Sequence, residues 1–182
     1  TSAESINIGQ KYAMHSNVLN EDRNYWVHLP TNYDKNKKYP VVYLLDADWQ
    51  FHEATGVFHH MMKNKRMPVS IVVGILNTKR QRDMLPTNSN LMPDGKPAKI
   101  MSEAGGANDF LKFITAELMP KIEQSYATQP HNTLVGHSFA GLFTLFALLE
   151  DSRLFQSYIA MDPSIWFDDE WLVKKLAKQI DQ

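Results

Sequence analysis

The stretch Gly136-His137-Ser138-Phe139-Ala140-Gly141 constrains this chain more than any other. It directly follows the apolar run at 133–135 and precedes a second apolar stretch at 142–149. A short strand, a sharp turn and a buried helix produce this pattern. That is the setting of a nucleophile elbow, in which a serine is held on a strained turn at the end of a strand. The small residues have steric roles. Gly136 lets the chain turn, and a small residue at 140 lets helix and strand approach closely. The fifth position of G-x-S-x-G is usually glycine; here it is Ala140, with Gly141 one step later. A plain strand-turn-helix with an ordinary serine is the competing reading. The apolar strand before the motif and the apolar helix after it favour the elbow.

Elsewhere the chain alternates strand and helix signals. Residues 11–16 and 24–29 read as two strands joined by a polar turn. Residues 41–45 (VVYLL) and 69–75 are continuously apolar, as in strands buried on both faces. Residues 53–63 read as a helix. Residues 76–106 form a long irregular stretch punctuated by Pro86, Pro93, Pro97, Gly95, Gly105 and Gly106. Loops of this length in compact domains are usually functional or mobile. Asn108 or Asp109 caps a helix running to about residue 126, with Phe110, Phe113, Ile114, Leu118 and Ile122 on one face. Pro120 should bend or interrupt it. The strand at 133–135, a helix at 139–149, a strand at 157–161 and an amphipathic helix from about 169 complete the order. The expected fold class is α/β: one domain with a mostly parallel sheet, helices on both faces and an antiparallel hairpin at one edge. Ligands of such sheets bind beyond the carboxyl ends of the strands. Residues 46–49, 76–106, Ser138 and 162–166 all fall there.

At 182 residues the chain can bury a sizeable single core, and 43% hydrophobic with 21% charged residues is globular usage. The net charge is −1 and no Lys/Arg block stands out, so nucleic acid is not expected as a partner. No apolar run reaches the length of a membrane span. The absence of cysteine excludes disulfides, thiol catalysis and cysteine-ligated metal. No cofactor or metal is expected. No signal peptide is recognisable, and a first residue of Thr1 points to a processed or trimmed N-terminus. Periplasmic or secreted and cytoplasmic placements both stay open, as does the oligomeric state.

Five segments in order resemble the "putative esterase" branch of the α/β-hydrolases, which includes esterase D-like enzymes and the enterochelin and other siderophore esterases. They are 41–48 (VVYLLDAD), 74–87 (GILNTKRQRDMLPT), 110–126 (FLKFITAELMPKIEQSY), the elbow (GHSFAG) and 162–167 (DPSIWF). The family often has Asp-Gly where this chain has Asp46-Ala47, and a second elbow glycine where it has Ala140. The resemblance implies an α/β-hydrolase fold and a serine hydrolase that cleaves small-molecule carboxylic esters through an acyl-enzyme. A non-catalytic hydrolase-like binding module is the alternative.

Ester hydrolysis by serine needs a nucleophile, a base and donors for the developing oxyanion. Ser138 is the expected nucleophile. The backbone N–H of Phe139 is one expected oxyanion donor, and Asp48 or a neighbour after the 41–45 strand supplies the other. Trp49, Arg82, Asp83 and Trp166 are the expected substrate-binding residues. Arg82 and Asp83 read more readily as a pair bracing the loop than as a ligand clamp, and the two tryptophans equally as core. Lys79, Arg80, Lys96 and Lys99 add positive charge to the 76–106 stretch, but Asp94 and Glu103 balance it, so the substrate stays open. The base is the difficulty. In this fold the order is Ser, then Asp or Glu, then His. All seven histidines (15, 28, 52, 59, 60, 131 and 137) precede Ser138. His52, His59 and His60 suit a surface or core role better than a metal site, which needs a further convergent ligand. Asp162 reads as an acid or as the cap of the Pro163 turn. The domain is therefore expected to lack its C-terminal strands, with roughly 60–100 further residues finishing it. The 157–161 strand would otherwise be a bare apolar edge.

Overall fold

The computed structural model describes residues 3–97 and 103–180; Lys99 lies outside them. A six-stranded sheet with the order β1-β2-β4-β3-β5-β6 runs through the molecule. Strands β1 (Gln10–Ser16) and β2 (Glu21–His28) form the antiparallel hairpin, and β2 runs antiparallel to β4 (Ile71–Ile75). From there the sheet is parallel: β4 pairs with β3 (Tyr39–Leu44), β3 with β5 (Thr128–His137), and β5 with β6 (Ser157–Met161). Strands β3 and β4 are buried at every position, which their unbroken apolar character requires.

Helices cover both faces. On one face α1 (Ala47–Lys63) lays Phe51 against Val42, Leu44 and Val72. On the other, α3 (Ala107–Phe113), α4 (Met119–Ser125) and α5 (Phe139–Glu150) enclose the larger core, with Phe110, Phe143 and Phe146 packed ring to ring. A short helix, α2 (Arg80–Met84), and α6 (Phe167–Ile180) complete the order. Strand β6 is the edge strand at the parallel end of the sheet, with Ile159 and Met161 exposed. That is the open apolar edge expected from the sequence.

Several features differ from expectation. Helix α3 starts from Gly106, so Asn108 and Asp109 lie inside its first turn and neither caps it. Helix α1 begins at Ala47 and not near 53, because Asp46 takes a left-handed conformation (φ 54°, ψ 36°) that turns the chain straight from strand into helix. Asp48 then sits in the first helical turn, where the helix dipole favours an acidic side chain. Strand β5 begins at Thr128, well before 133; its register against β3 slips between Tyr39 and Val41, so Pro130 sits where no ladder bond is needed. Residues 69 and 70 lie ahead of β4. Finally, Pro120 does not break its helix. A π-helical turn at Ile114–Leu118 joins α3 to α4, and this wider winding accommodates a proline that lacks an N–H and crowds the preceding turn.

Candidate active site

Because β3, β4, β5 and β6 are parallel, their carboxyl ends share one side of the sheet. Ser138 stands there, at the turn from β5 into α5, with φ 60° and ψ −118°. This backbone region is strained for any residue with a Cβ and costs about 1–3 kcal/mol. Three backbone hydrogen bonds hold it. The Ser138 N–H donates to the Met161 carbonyl (3.1 Å), and the Ser138 carbonyl accepts from Leu142 (2.9 Å) and Ser164 (3.1 Å). The glycines of the motif make the turn possible. A Cβ on Gly136 would run into the Ala140 carbonyl and come within 2.8 Å of Thr144 Oγ1. One on Gly141 would lie 2.8 Å from the Met161 carbonyl oxygen. Ala140 is buried in the position where glycine is usual, so helix and strand close up around its methyl group. Gly136→Ala is therefore expected to cost about 3 kcal/mol through overpacking; an unchanged urea midpoint would show that the turn is not tightly packed.

The Ser138 hydroxyl is 3.3 Å from the hydroxyl of Ser164, which is buried on the loop after β6. Ser164 lies inside the DPSIW segment but nothing in its spacing marks it as a partner of Ser138. Among the described residues no histidine makes a hydrogen bond to Ser138. His15 is 2.9 Å from Asp22, His28 is 2.7 Å from the Ile8 carbonyl, His131 is 3.4 Å from Ser157, and His137 is exposed. His52, His59 and His60 are exposed on α1. Asp162 has a left-handed backbone (φ 41°) and an exposed side chain.

Two helix N-termini flank the serine. The Trp49 N–H of α1 turns back to the Asp46 carbonyl (3.0 Å); the N–H groups ahead of it, like those that open α5, have no carbonyl partner within their own helices. They belong to the segments that carry Phe139 and Asp48. A linked set of side chains joins the two. Arg80 places Nε and Nη2 each 2.8 Å from the two oxygens of buried Asp46. Its guanidinium lies 5.2 Å from the Trp49 ring and 5.3 Å from the Phe139 ring. Phe139 in turn packs on Trp166 at 5.8 Å. Asn77 donates to Asp46 (2.8 Å) and to Asp48 (2.9 Å). Trp49 also borders an apolar groove of about 420 Å³ between α1 and the sheet, lined by Leu44, Val57, Phe58, Ile159 and Met161.

Of the residues named from sequence, Asp48, Trp49, Phe139 and Trp166 thus belong to one connected group. Arg82 and Asp83 do not join it. Arg82 donates to both oxygens of Glu21 and to Asp83, and Asp83 accepts from Arg23 at 2.6 Å. Helical geometry explains the split: Arg80 and Arg82 are two positions apart on α2 and so face different sides. The second arginine faces the β1–β2 hairpin, where its charge is matched.

The Arg82 hydrogen bond, supported by Arg23 and opposed by partial burial, lowers the Glu21 pKa from its ordinary 4.5 to about 2. Lowered carboxylate values stabilise the fold above the unfolded pKa. The contribution of Glu21 should therefore be complete above about pH 4.5 and lost as pH falls toward 2. Urea midpoints measured between pH 6 and 2 should show this slope, and Glu21→Gln should flatten it. An equal slope in the variant would assign the acid sensitivity to other groups.

A largely parallel sheet covered on both faces, with a serine on a strained strand-to-helix turn, defines an α/β-hydrolase-type domain. The family described as "Putative esterase" matches residues 16–182, and the chain belongs to that family. It is 34% identical over 170 residues to the ferri-bacillibactin esterase BesA of Bacillus subtilis (strain 168), covering 86% of this chain and 59% of that protein. It is 28% identical to a siderophore enterobactin esterase of Emericella nidulans, covering 77% of this chain and 51% of the relative. The crystal structure of an IroE-like serine hydrolase from Shewanella oneidensis superposes with a TM-score of 0.90 at 39% identity, over 94% of this chain and 56% of that one. The chain therefore spans about half to three-fifths of the length of these relatives.

Proposed function

We propose that the protein is a serine hydrolase that cleaves carboxylic esters, of siderophore type, through an acyl-enzyme on Ser138. The observation that carries this reading is the strained Ser138 backbone at the carboxyl end of a central parallel strand. Strain of this kind, held by glycines on either side, serves to present a hydroxyl and has no evident use in folding. The names of the relatives support the substrate class. In the proposed reaction Ser138 Oγ attacks the ester carbonyl while a base takes its proton. The carbonyl oxygen becomes an oxyanion facing the N–H groups of Phe139 and Asp48. The carbon–oxygen bond to the alcohol then breaks, the proton passes to the leaving oxygen, and water repeats the sequence on the acyl-enzyme. Trp49 and Trp166 would form the apolar walls of the acyl site.

The base belongs, on this reading, to residues outside Thr1–Gln182. The support is that all seven histidines precede Ser138 and that the relatives are longer. The fragment 1–182 alone is then expected to hydrolyse p-nitrophenyl esters several orders of magnitude more slowly than the full-length protein, because losing the base leaves only binding and oxyanion stabilisation. The full-length protein should also release monomers from a cyclic catecholate triester, followed by chromatography. If the histidine positions instead reflect a hydrolase-like binding module without a base, the full-length protein will bind such esters and leave them intact.

A further inference from the structure

We propose that Arg80 is a positioning residue that sets the distance between the two oxyanion donors. The inference rests on the serine-esterase reading above and concerns the same site.

The donors come from segments far apart in sequence, the start of α1 and the start of α5. Arg80 is in contact with both. Its guanidinium makes a two-pronged bond to Asp46, the left-handed residue from which α1 begins. Such a fork fixes the carboxylate in plane as well as in distance. The guanidinium also lies against Trp49, in the first turn of α1, and against Phe139, the residue after the nucleophile. One rigid planar group thus ties the α1 turn to the elbow. Asn77 closes the arrangement by donating to Asp46 and Asp48 together.

The surroundings of Arg80 argue against a role as a free cation that collects anionic substrates. Its side chain is 16% exposed, and its charge is matched by a buried carboxylate at 2.8 Å. Asp46 needs the arginine in return. A buried carboxylate with a left-handed backbone would relax if its partner were removed, and the N–H groups of residues 47 and 48 would move with it. Lysine cannot substitute: it is a single point charge without the second prong or the flat face.

The test uses the full-length protein with R80K, R80A, D46N and the R80K/D46N double variant, and S138A as the control. A displacement of about 1 Å at a reacting centre can cost on the order of 100-fold. On a neutral p-nitrophenyl ester, R80K and R80A are expected to lower kcat about 10- to 100-fold while KM stays within about threefold. The double variant should be no slower than the slower single variant, because one linkage is broken in each case. Methylguanidinium should restore part of kcat to R80A and leave the wild type unchanged. R80K, which keeps the charge and much of the bulk, decides the matter if R80A does not fold. An unchanged kcat on the neutral ester, with losses confined to KM for an anionic ester, would assign Arg80 to charge capture and overturn the proposal. A kcat loss without rescue, matched by a collapse of thermal stability in R80K, would make it a fold brace and overturn it equally. The two readings fail separately. Full turnover in S138A would remove the serine-esterase reading, whereas loss of turnover in S138A beside an unchanged R80K would remove the role of Arg80 alone.

Discussion

Ser138→Ala in the full-length protein is expected to lower kcat/KM for ester hydrolysis by about 10⁴-fold or more, since in the proposed mechanism the hydroxyl forms the covalent bond and its loss cannot be compensated by binding alone. The fold should tolerate the change. The backbone bonds that hold the turn, to Met161, Leu142 and Ser164, use main-chain atoms of residue 138. Alanine keeps them, along with the strain of φ 60°, ψ −118°. Glycine would relieve that strain. Ser138→Gly is thus expected to be as inactive as alanine yet more stable by about 1 kcal/mol. Steady-state kinetics with urea unfolding on the two variants checks both halves. Inactivity accompanied by lower stability in the glycine variant would mean that the turn is not strained.

Arg23→Ala carries the largest expected stability loss, about 3–5 kcal/mol, because it removes one partner of a buried ion pair. The Arg23 side chain is 1% exposed, donates to Asp83 at 2.6 Å and Glu21 at 2.9 Å, and lies over the rings of Phe110 and Phe113. It also donates to the Leu76 carbonyl, one residue before Asn77. The alanine variant leaves one oxygen of Asp83 unmatched and opens a void over the stacked rings of Phe110 and Phe113. The damage should extend to the site, since Asp83 shares the short α2 helix with Arg80. A urea midpoint shift worth less than about 1 kcal/mol would place the cluster among weakly contributing surface pairs.

The elbow and the sheet were legible because their requirements are local. A strand buried on both faces must be apolar throughout, and β3 and β4 are. A turn as tight as that at Ser138 must have small neighbours, and Gly136 and Gly141 supply them. The exposed edge at β6 could be read from a short apolar strand followed by an amphipathic segment. What escaped depended on meetings between distant residues. Periodicity starts α1 at the first regular apolar spacing and misses Ala47, because the entry is set by the left-handed Asp46 held by Arg80, 34 positions away. Arg80 and Arg82 look alike in sequence, and only the direction of α2 divides a residue at the site from one in the hairpin cluster. Ser164 is a common residue in a turn; its nearness to Ser138 follows from the pairing of β5 with β6. Pro120 signals a disturbance of the helix without saying that a π turn will absorb it.

The most direct measurement is active-site labelling of the full-length protein with a fluorophosphonate, followed by peptide mass mapping. The phosphonate forms a stable bond only to a serine activated within a working site, so it tests nucleophile, base and oxyanion donors together. The expected result is one adduct, on the peptide containing Ser138, absent from Ser138→Ala and formed in parallel with loss of ester hydrolysis. Undiminished labelling of Ser138→Ala, or an adduct on another serine with hydrolysis lost, would contradict the assignment of Ser138 as the nucleophile.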